Sequence, residues 1–255
     1  MWANRRALGA LARHDLRRAN AGTAGGALWT FLAPLVPLLV FAAVFSFALR
    51  LPLGGAPYIY GFAAAYVPWL LLSASITRAT GLIVEHGYLV KRVRFPVEII
   101  PAGALLIHSV PHAFLLALTC VVCFAGGYGG PSQLLLVPYF YLCAVVLAVS
   151  AGLLVSSVTV VVRDVQHMLP SVMHVWFWVT PVAWAGTQLP PRARVLLALN
   201  PAAYVANGYR HALMPKVFDA PTAFDAAAFW AVTAGLLLIS SVCFRRLRVH
   251  FWDCL

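Results

Sequence analysis

Residues 99–162 contain no charged side chain, and no other feature constrains the fold of this chain as strongly. The whole chain of 255 residues is 62% hydrophobic and only 10% charged, whereas soluble domains carry roughly 25% charged residues. A water-soluble core of this size could not hide so much apolar surface. Because a helix needs roughly 20 apolar residues to cross a bilayer, the chain is predicted to be an integral membrane protein with several spans.

The glycine-rich turn Gly126–Pro131 (GGYGGP) divides the uncharged stretch into two spans. The first apolar run contains Pro34 and Pro37, which membrane helices tolerate because neighbouring groups satisfy the freed backbone. We therefore predict an all-α membrane protein that forms a single domain over residues 1–255. Six transmembrane helices are predicted, over residues 28–49, 58–77, 99–125, 134–162, 168–186 and 226–244.

Two further segments are predicted to lie at the membrane surface. Within residues 4–20, Arg6, Arg13 and Arg17 fall on one helical face and apolar side chains lie opposite, which is typical of an interfacial amphipathic helix; a short solvated helix is the alternative. The length of the stretch before the first span argues against a cleavable signal peptide. Residues 187–225 contain two short apolar stretches broken at Asn200–Pro201, which predict re-entrant or external helices before the last span. An ordinary surface loop is the alternative there.

The net charge of +11 is interpreted through the position of the bases along the chain rather than as a nucleic-acid surface. Lys and Arg near span ends mark the cytoplasmic side. With both termini cytoplasmic, the bases predicted outside are Arg50, Arg192, Arg194, Arg210 and Lys216. The more numerous bases predicted inside are Arg5, Arg6, Arg13, Arg17, Arg18, Arg78, Lys91, Arg92, Arg94, Arg163, Arg245, Arg246 and Arg248.

The sequence lacks the motifs of several enzyme classes. A phosphate-binding G-x-x-x-x-G-K-[ST] loop does not occur, so the chain is not expected to hydrolyse ATP or to be an enzyme by itself. The span interiors carry no Asp, Glu, Lys or Arg, which argues against ion-coupled transport. The energy for any transport is therefore expected to come from another subunit.

No cofactor or metal is predicted on this chain. His108 and His112 share a helix face, but more often such histidines form hydrogen bonds between helices. Cys120 and Cys123 form an isolated C-x-x-C, while a four-ligand zinc site needs two more ligands. The cysteine count of five is odd, and these residues give no disulfide framework.

Three short segments carry a resemblance to a known family. The first is LVKRVRFPVEIIP at residues 89–101. The second is Arg163-Asp164-Val165, followed by FWVTP at residues 177–181. The third is Leu189-Pro190-Pro191 with the later Asn200-Pro201. In their order and sidedness they resemble type-2 ABC exporter permeases, in particular the membrane subunits that export O-antigen and related cell-surface polysaccharides.

The resemblance implies a half-transporter in a bacterial inner membrane. Two copies of the chain would pair around a path for a lipid-linked polysaccharide, and two copies of a separate ATPase, which would hold ATP and Mg²⁺, would dock on the cytoplasmic side. O-antigen is the first substrate expected. Capsule, a teichoic-acid-type glycan, or a drug or small lipid are alternatives within the same permease plan.

Charged residues near the cytoplasmic turns are candidates for ATPase coupling. The structural alternatives are plain anchoring of bases at anionic lipid and, for Asp164, an N-cap of the fifth span. A stiff turn between two long helices should nevertheless transmit force to both. The candidates are Glu85, Lys91, Arg92, Arg94, Arg163 and Asp164.

Aromatic residues are candidates for lining the path. Sugar C–H faces pack on aromatic rings, so an aromatic conduit poor in charge would let a glycan slide. The alternative is ordinary helix packing or an interfacial aromatic belt. The candidates are Phe31, Phe41, Phe45, Tyr66, Trp69, Phe177, Trp178, Pro181 and Trp184.

A water or glycerol channel is a remote alternative, because Asn200-Pro201-Ala202 lies between the last two predicted spans. That architecture needs a second Asn-Pro-Ala in the second cytoplasmic loop. The loop reads KRVRFPVEIIP instead, which disfavours a channel.

Overall fold

The computed structural model describes residues 25–48, 50, 52–87, 100–186 and 189–251. The predicted interfacial helix at 4–20 lies outside these residues. So do Lys91, Arg92 and Arg94.

A 3₁₀ turn at Gly26–Leu28 leads into helix α1 (Trp29–Ala43), which continues through a π-helical turn to Ala48. A tight antiparallel hairpin follows, with strand β1 (Pro52–Leu53) paired to strand β2 (Ala56–Pro57). Its turn residues Gly54 and Gly55 have φ values of 66° and 88°, a region that glycine enters without steric cost. The hairpin reverses the chain directly into the next helix.

Helix α2 (Tyr58–Glu85) is the central element of the fold. It packs against helix α3 (Ile100–Ala125) and helix α4 (Val137–Val161), and most of its length is buried. A short 3₁₀ turn at Gln133–Leu136 leads into α4. Both faces of α2 are therefore used for helix packing within a single chain.

Helix α5 (Asp164–Val179) follows α4 after a link of two residues. Two short helices come next, α6 (Pro191–Ala198) and α7 (Pro201–Leu213), and they agree with the short helices predicted on either side of Asn200. The last long element is helix α8 (Ala223–Leu247), which begins with a capping box between Thr222 and Asp225.

Five helices among the described residues are long and apolar enough to cross a membrane: α1 with its π-helical turn, α2, α3, α4 with its 3₁₀ turn, and α8. Along α1, α3 and the middle of α8 the exposed side chains are apolar, as on Val36, Val121 and Leu238. Such apolar surface has to be covered by lipid or by another helix. The fold is that of a multi-pass α-helical membrane protein.

The fifth predicted span differs from the helix that forms. It was expected over 168–186, but α5 ends at Val179 and its C-cap Thr180 is extended. Proline disfavours helical backbone at the residue before it, and Pro181 follows Thr180. With 16 residues, α5 is about 24 Å long, shorter than the roughly 30 Å hydrocarbon core. The expected count of six spans is therefore not confirmed.

Candidate functional site

The turn between α4 and α5 brings two of the predicted coupling residues to one end of the bundle. Arg163 and Asp164 are both exposed. Asp164 is not the N-cap that the sequence suggested, because Arg163 occupies the capping position and α5 starts at Asp164. The carboxylate lies instead in the first helical turn, where it complements the positive end of the helix dipole.

Glu85 lies at the same end. Its two carboxylate oxygens accept from Nη1 and Nη2 of Arg78, at 2.6 and 2.7 Å. A Cβ added at Gly81 would lie 2.9 Å from Oε1 of Glu85 and 3.4 Å from Nε2 of Gln166. The absence of a side chain at Gly81 thus lets the end of α2 meet the first turns of α5, close to Asp164.

Most of the predicted path residues come together along α1, α2 and α5. Phe45 stacks on Tyr58 with ring centroids 4.7 Å apart, and Phe41 lies 5.8 Å from Phe177. Trp69 lies 5.7 Å from Phe177. Phe31 is separate, because its ring packs against Phe114 of α3.

Burial divides these aromatic residues into two groups. Tyr66, Trp69 and Phe177 are buried within the single chain, so they support helix packing from behind. Trp178 is 45% exposed. It is therefore the aromatic side chain of α5 that another molecule can reach.

Trp178 belongs to a stripe of polar and aromatic side chains along the exposed side of α5. The stripe is formed by His167, Ser171, His174 and Trp178, all of which are exposed, and Nε1 of Trp178 donates to Nε2 of His174 at 3.4 Å. Because imidazole and hydroxyl groups are costly in hydrocarbon, such residues usually face a bundle interior or a water-filled cavity. The α5 stripe can therefore line an aqueous path.

In a continuous fifth span over 168–186, Phe177, Pro181 and Trp184 would share one helical face, but that face does not form because α5 ends at Val179. Pro181 is buried and Trp184 is partly buried in the link that follows α5. Trp184 turns back toward the helix end, where its Nε1 donates to the carbonyl oxygen of Trp178 at 3.0 Å. Both residues thus lie beside the end of the α5 stripe rather than on a continuous helix with it.

Asn200 joins the end of α5 to the start of α7. Its Oδ1 accepts from Nε1 of Trp176 at 3.0 Å and from the backbone N–H of Ala202 at 3.1 Å. Its Nδ2 donates to Oγ1 of Thr180 at 2.9 Å. The same side chain therefore caps α7 and holds the residue at which α5 stops.

Arg210 on α7 is a fully buried cation. Its guanidinium donates to the carbonyl oxygen of Gly61 on α2 and to those of Pro181, Val182 and Trp184 in the link after α5. Burial lowers the pKa of Arg210 to about 9, so the group keeps its charge near neutral pH. In the described part of the chain none of its acceptors is a carboxylate, and the carbonyl dipoles stabilise the charge.

Sequence reasoning missed the roles of Arg210, Asn200 and the polar residues of the α5 stripe. Arg210 was counted among the outer bases, and nothing in its local sequence indicates four carbonyl partners. The stripe did leave a signal, because residues 167, 171, 174 and 178 follow helical spacing in an otherwise apolar protein.

The two histidines on α3 take part in hydrogen bonds. Nδ1 of His108 lies 2.8 Å from the carbonyl oxygen of Ala104, and Nε2 of His112 lies 3.1 Å from the hydroxyl oxygen of Tyr209 on α7. Within the described ranges no group of three His, Cys, Asp or Glu residues could hold a metal. The contact of His112 therefore joins two helices, as expected, whereas that of His108 stays within α3.

Comparison with known proteins gives one family and several relatives. The family described as ABC-2 type transporter matches residues 6–214. An O-antigen export system permease protein RfbA from Myxococcus xanthus is 26% identical over 248 residues, covering 94% of this chain and 92% of the relative. A protein of the same name from Klebsiella pneumoniae is 20% identical over 245 residues, with the same coverage. The resemblance thus extends over nearly the whole chain.

Proposed function

This chain belongs to the ABC-2 type transporter family, and from that premise we propose that it is the membrane-spanning subunit of an ABC exporter for a lipid-linked polysaccharide of the O-antigen type. The names of its relatives support the substrate class. The structural observation that carries the proposal is the α5 stripe, a row of exposed polar and aromatic side chains that lies beside the exposed apolar residues Met168, Val172 and Val175 of the same helix.

The path is proposed to form between two copies of this chain, with the two α5 stripes facing the passing glycan. The hydroxyl and imidazole groups of Ser171 and His174 would exchange hydrogen bonds with sugar hydroxyls, while Trp178 would pack on sugar C–H faces. Phe41 and Phe45 are partly buried and would border the path. The buried Tyr66, Trp69 and Phe177 would hold α5 in place.

The work is proposed to come from two copies of a separate ATPase, which would hold ATP and Mg²⁺. The sequence of this chain has no phosphate-binding loop, so we assign it no ATP hydrolysis. The exposed Arg163–Asp164 turn and the nearby Glu85 are proposed to receive the ATPase. Lys91, Arg92 and Arg94 are assigned the same role from the sequence alone.

The membrane is proposed to be the bacterial inner membrane, with both termini in the cytoplasm. The distribution of bases supports this orientation. The end carrying the α4–α5 turn would then face the ATPase, and the end carrying α6 and α7 would face outward. Arg210 was counted among the bases predicted outside, but it is buried and does not act as a surface charge. It therefore does not weaken the excess of bases on the cytoplasmic side.

The test is reconstitution in liposomes of this chain with the ABC ATPase that co-purifies with it. ATP-dependent transfer of the lipid-linked glycan across the bilayer is expected, and neither subunit alone should support it. ATP hydrolysis by this chain alone would overturn the proposal. ATP-driven movement of a lipid or drug without any glycan transfer would overturn the assigned substrate.

A further inference from the structure

A cavity of about 380 Å³ lies at the end of the bundle opposite the α4–α5 turn. It is lined by α6, α7, the link after α5, the link between α7 and α8, the start of α8 and the tip of the hairpin. Its side chains include Asn207, Asp219 and Asp225, together with Tyr204, Phe218 and Leu197. The function proposed above does not use this cavity.

The polar side chains of the cavity have unused hydrogen-bonding capacity. Within the described residues, Asn207 is partly buried and its amide makes no hydrogen bond, and the exposed carboxylate of Asp219 likewise has no partner. Asp225 uses Oδ2 to accept from the backbone and hydroxyl of Thr222. The cavity therefore offers carboxylate oxygens, the two N–H donors of one amide and its carbonyl oxygen to a ligand.

The charges around the cavity select against an anion. Arg210 contributes to the lining, but the hydrogen bonds that it makes run to backbone carbonyls. The carboxylates of Asp219 and Asp225 outnumber this single cation in the lining, and the net negative charge would disfavour a phosphate or carboxylate ligand. A carboxylate beside a side-chain amide suits a ligand rich in hydroxyl donors.

The remaining walls are apolar, as at Leu197, Val217 and Pro221. Ligand sites typically combine such walls with a few placed polar groups in about 300–1,000 Å³, and this cavity lies at the small end of that range. A sugar has the matching two-sided chemistry, with hydroxyl groups at its edge and C–H groups on its faces. The volume suits a short stretch of sugar rings.

We propose that this cavity is a glycan-binding subsite at the outer mouth of the transporter, formed by Asn207, Asp219 and Asp225. The inference rests on the proposed function and deepens it. Such a subsite would hold sugar residues that have left the path and disfavour their return. The ligand class is a neutral, hydroxyl-rich sugar.

The test is saturation-transfer difference NMR on the purified chain in lipid nanodiscs, with galactose, mannose, rhamnose and N-acetylglucosamine as probes. At least one sugar is expected to bind the unchanged protein. Asn207→Leu and Asp219→Asn should each weaken that binding about tenfold, by loss of hydrogen bonds to the ligand. Gln133→Leu is the matched control, because it removes a side-chain amide at the same end but outside the cavity, and it should bind normally.

Failure to bind any of the sugars, or equal binding by all the variants, overturns the subsite. Phosphatidylglycerol also carries hydroxyl groups. If native mass spectrometry shows that Asn207→Leu and Asp219→Asn lose this lipid while sugar binding is unchanged, the cavity belongs to a lipid headgroup and the glycan assignment falls. Sugar binding that depends on the cavity without any glycan export supports the subsite and contradicts the proposed function, so the two failures are distinct.

Discussion

Nη1 of Arg210 donates to the carbonyl oxygen of Pro181 at 2.6 Å, and this bond ties the middle of α7 to the point where α5 ends. The same guanidinium reaches Val182 and Trp184 in that link and Gly61 on α2. Three segments distant in sequence are therefore fixed to one another by a single side chain. Movement of the end of α5 should carry α7 with it.

Replacing Arg210 with methionine is expected to destabilise the protein strongly. The substitution leaves buried carbonyl groups without donors, at about 1–3 kcal/mol for each unsatisfied group. Arg210→Lys should recover only part of this loss, because one ammonium cannot reach all four acceptors. Thermal melting of the detergent-solubilised protein, followed by size-exclusion chromatography, measures the effect.

Arg246→Met is the control for this series, because Arg246 is exposed at the end of α8. It should melt close to the unchanged protein. If Arg210→Met had the same melting temperature as Arg246→Met, the contacts with the carbonyl groups would not contribute to stability.

Asn200 and Trp176 are expected to be energetically coupled. Trp176→Phe removes the N–H that Asn200 accepts, and Asn200→Ala removes that bond together with the cap of α7, worth about 1 kcal/mol alone. The double variant should therefore lose less stability than the two single losses added together, by about 0.5–3 kcal/mol. A double-mutant cycle in SDS unfolding titrations measures this difference.

The pair Trp176→Phe and Ser109→Ala is the additive control, since Ser109 contacts Leu105 and Tyr141 and shares no partner with Trp176. Additive losses for Trp176 and Asn200 would show that the contact does not link α5 to α7.

Most of the fold could be predicted from the sequence because the spans give a local signal. Hydropathy located α1, α2, α3, α4 and α8 without knowledge of their neighbours. The end of α5 was missed although Pro181 marks it, because Pro34, Pro68, Pro111 and Pro170 lie inside helices of the same protein. Whether a proline ends a membrane helix depends on which groups satisfy the freed backbone, and those are tertiary contacts.

The candidate site was predicted less completely. The aromatic composition of α5 indicated Phe177 and Trp178 but could not separate the buried ring from the exposed one, since they are adjacent in sequence. Arg210 illustrates a stronger limit. Its partner Gly61 lies 149 residues away, and a base in a loop is read from sequence as a surface charge.

The α5 stripe predicts that Trp178→Ala and His174→Leu slow glycan export. Loss of the ring or of the imidazole removes contacts worth about 1 kcal/mol, which corresponds to about fivefold in rate. Both positions are exposed, so stability should change little. The measurement is the rate of ATP-dependent glycan transfer in proteoliposomes, beside melting temperature.

Trp230→Ala is the matched control, because Trp230 is an exposed tryptophan on α8, whose neighbouring exposed residues are apolar. Its export rate should stay close to that of the unchanged protein. Normal export by Trp178→Ala and His174→Leu would assign the α5 stripe to another contact.

The α4–α5 turn predicts that Arg163→Ala and Asp164→Asn reduce coupling to the ATPase. The two residues are exposed at a link of only two residues between α4 and α5, so force received there reaches both helices directly. Each variant should lower ATP-dependent export roughly tenfold by weakening charge contacts at the interface, while membrane insertion and melting temperature stay close to normal. Arg246→Ala at the same end of the bundle is the control for general loss of charge. Co-purification of the ATPase and the ratio of glycan exported to ATP hydrolysed are measured together. If both variants bind the ATPase normally and export as much glycan per ATP as the unchanged protein, this turn has no coupling role. Glu85 at the end of α2 would then be the remaining candidate for ATPase contact among the described residues.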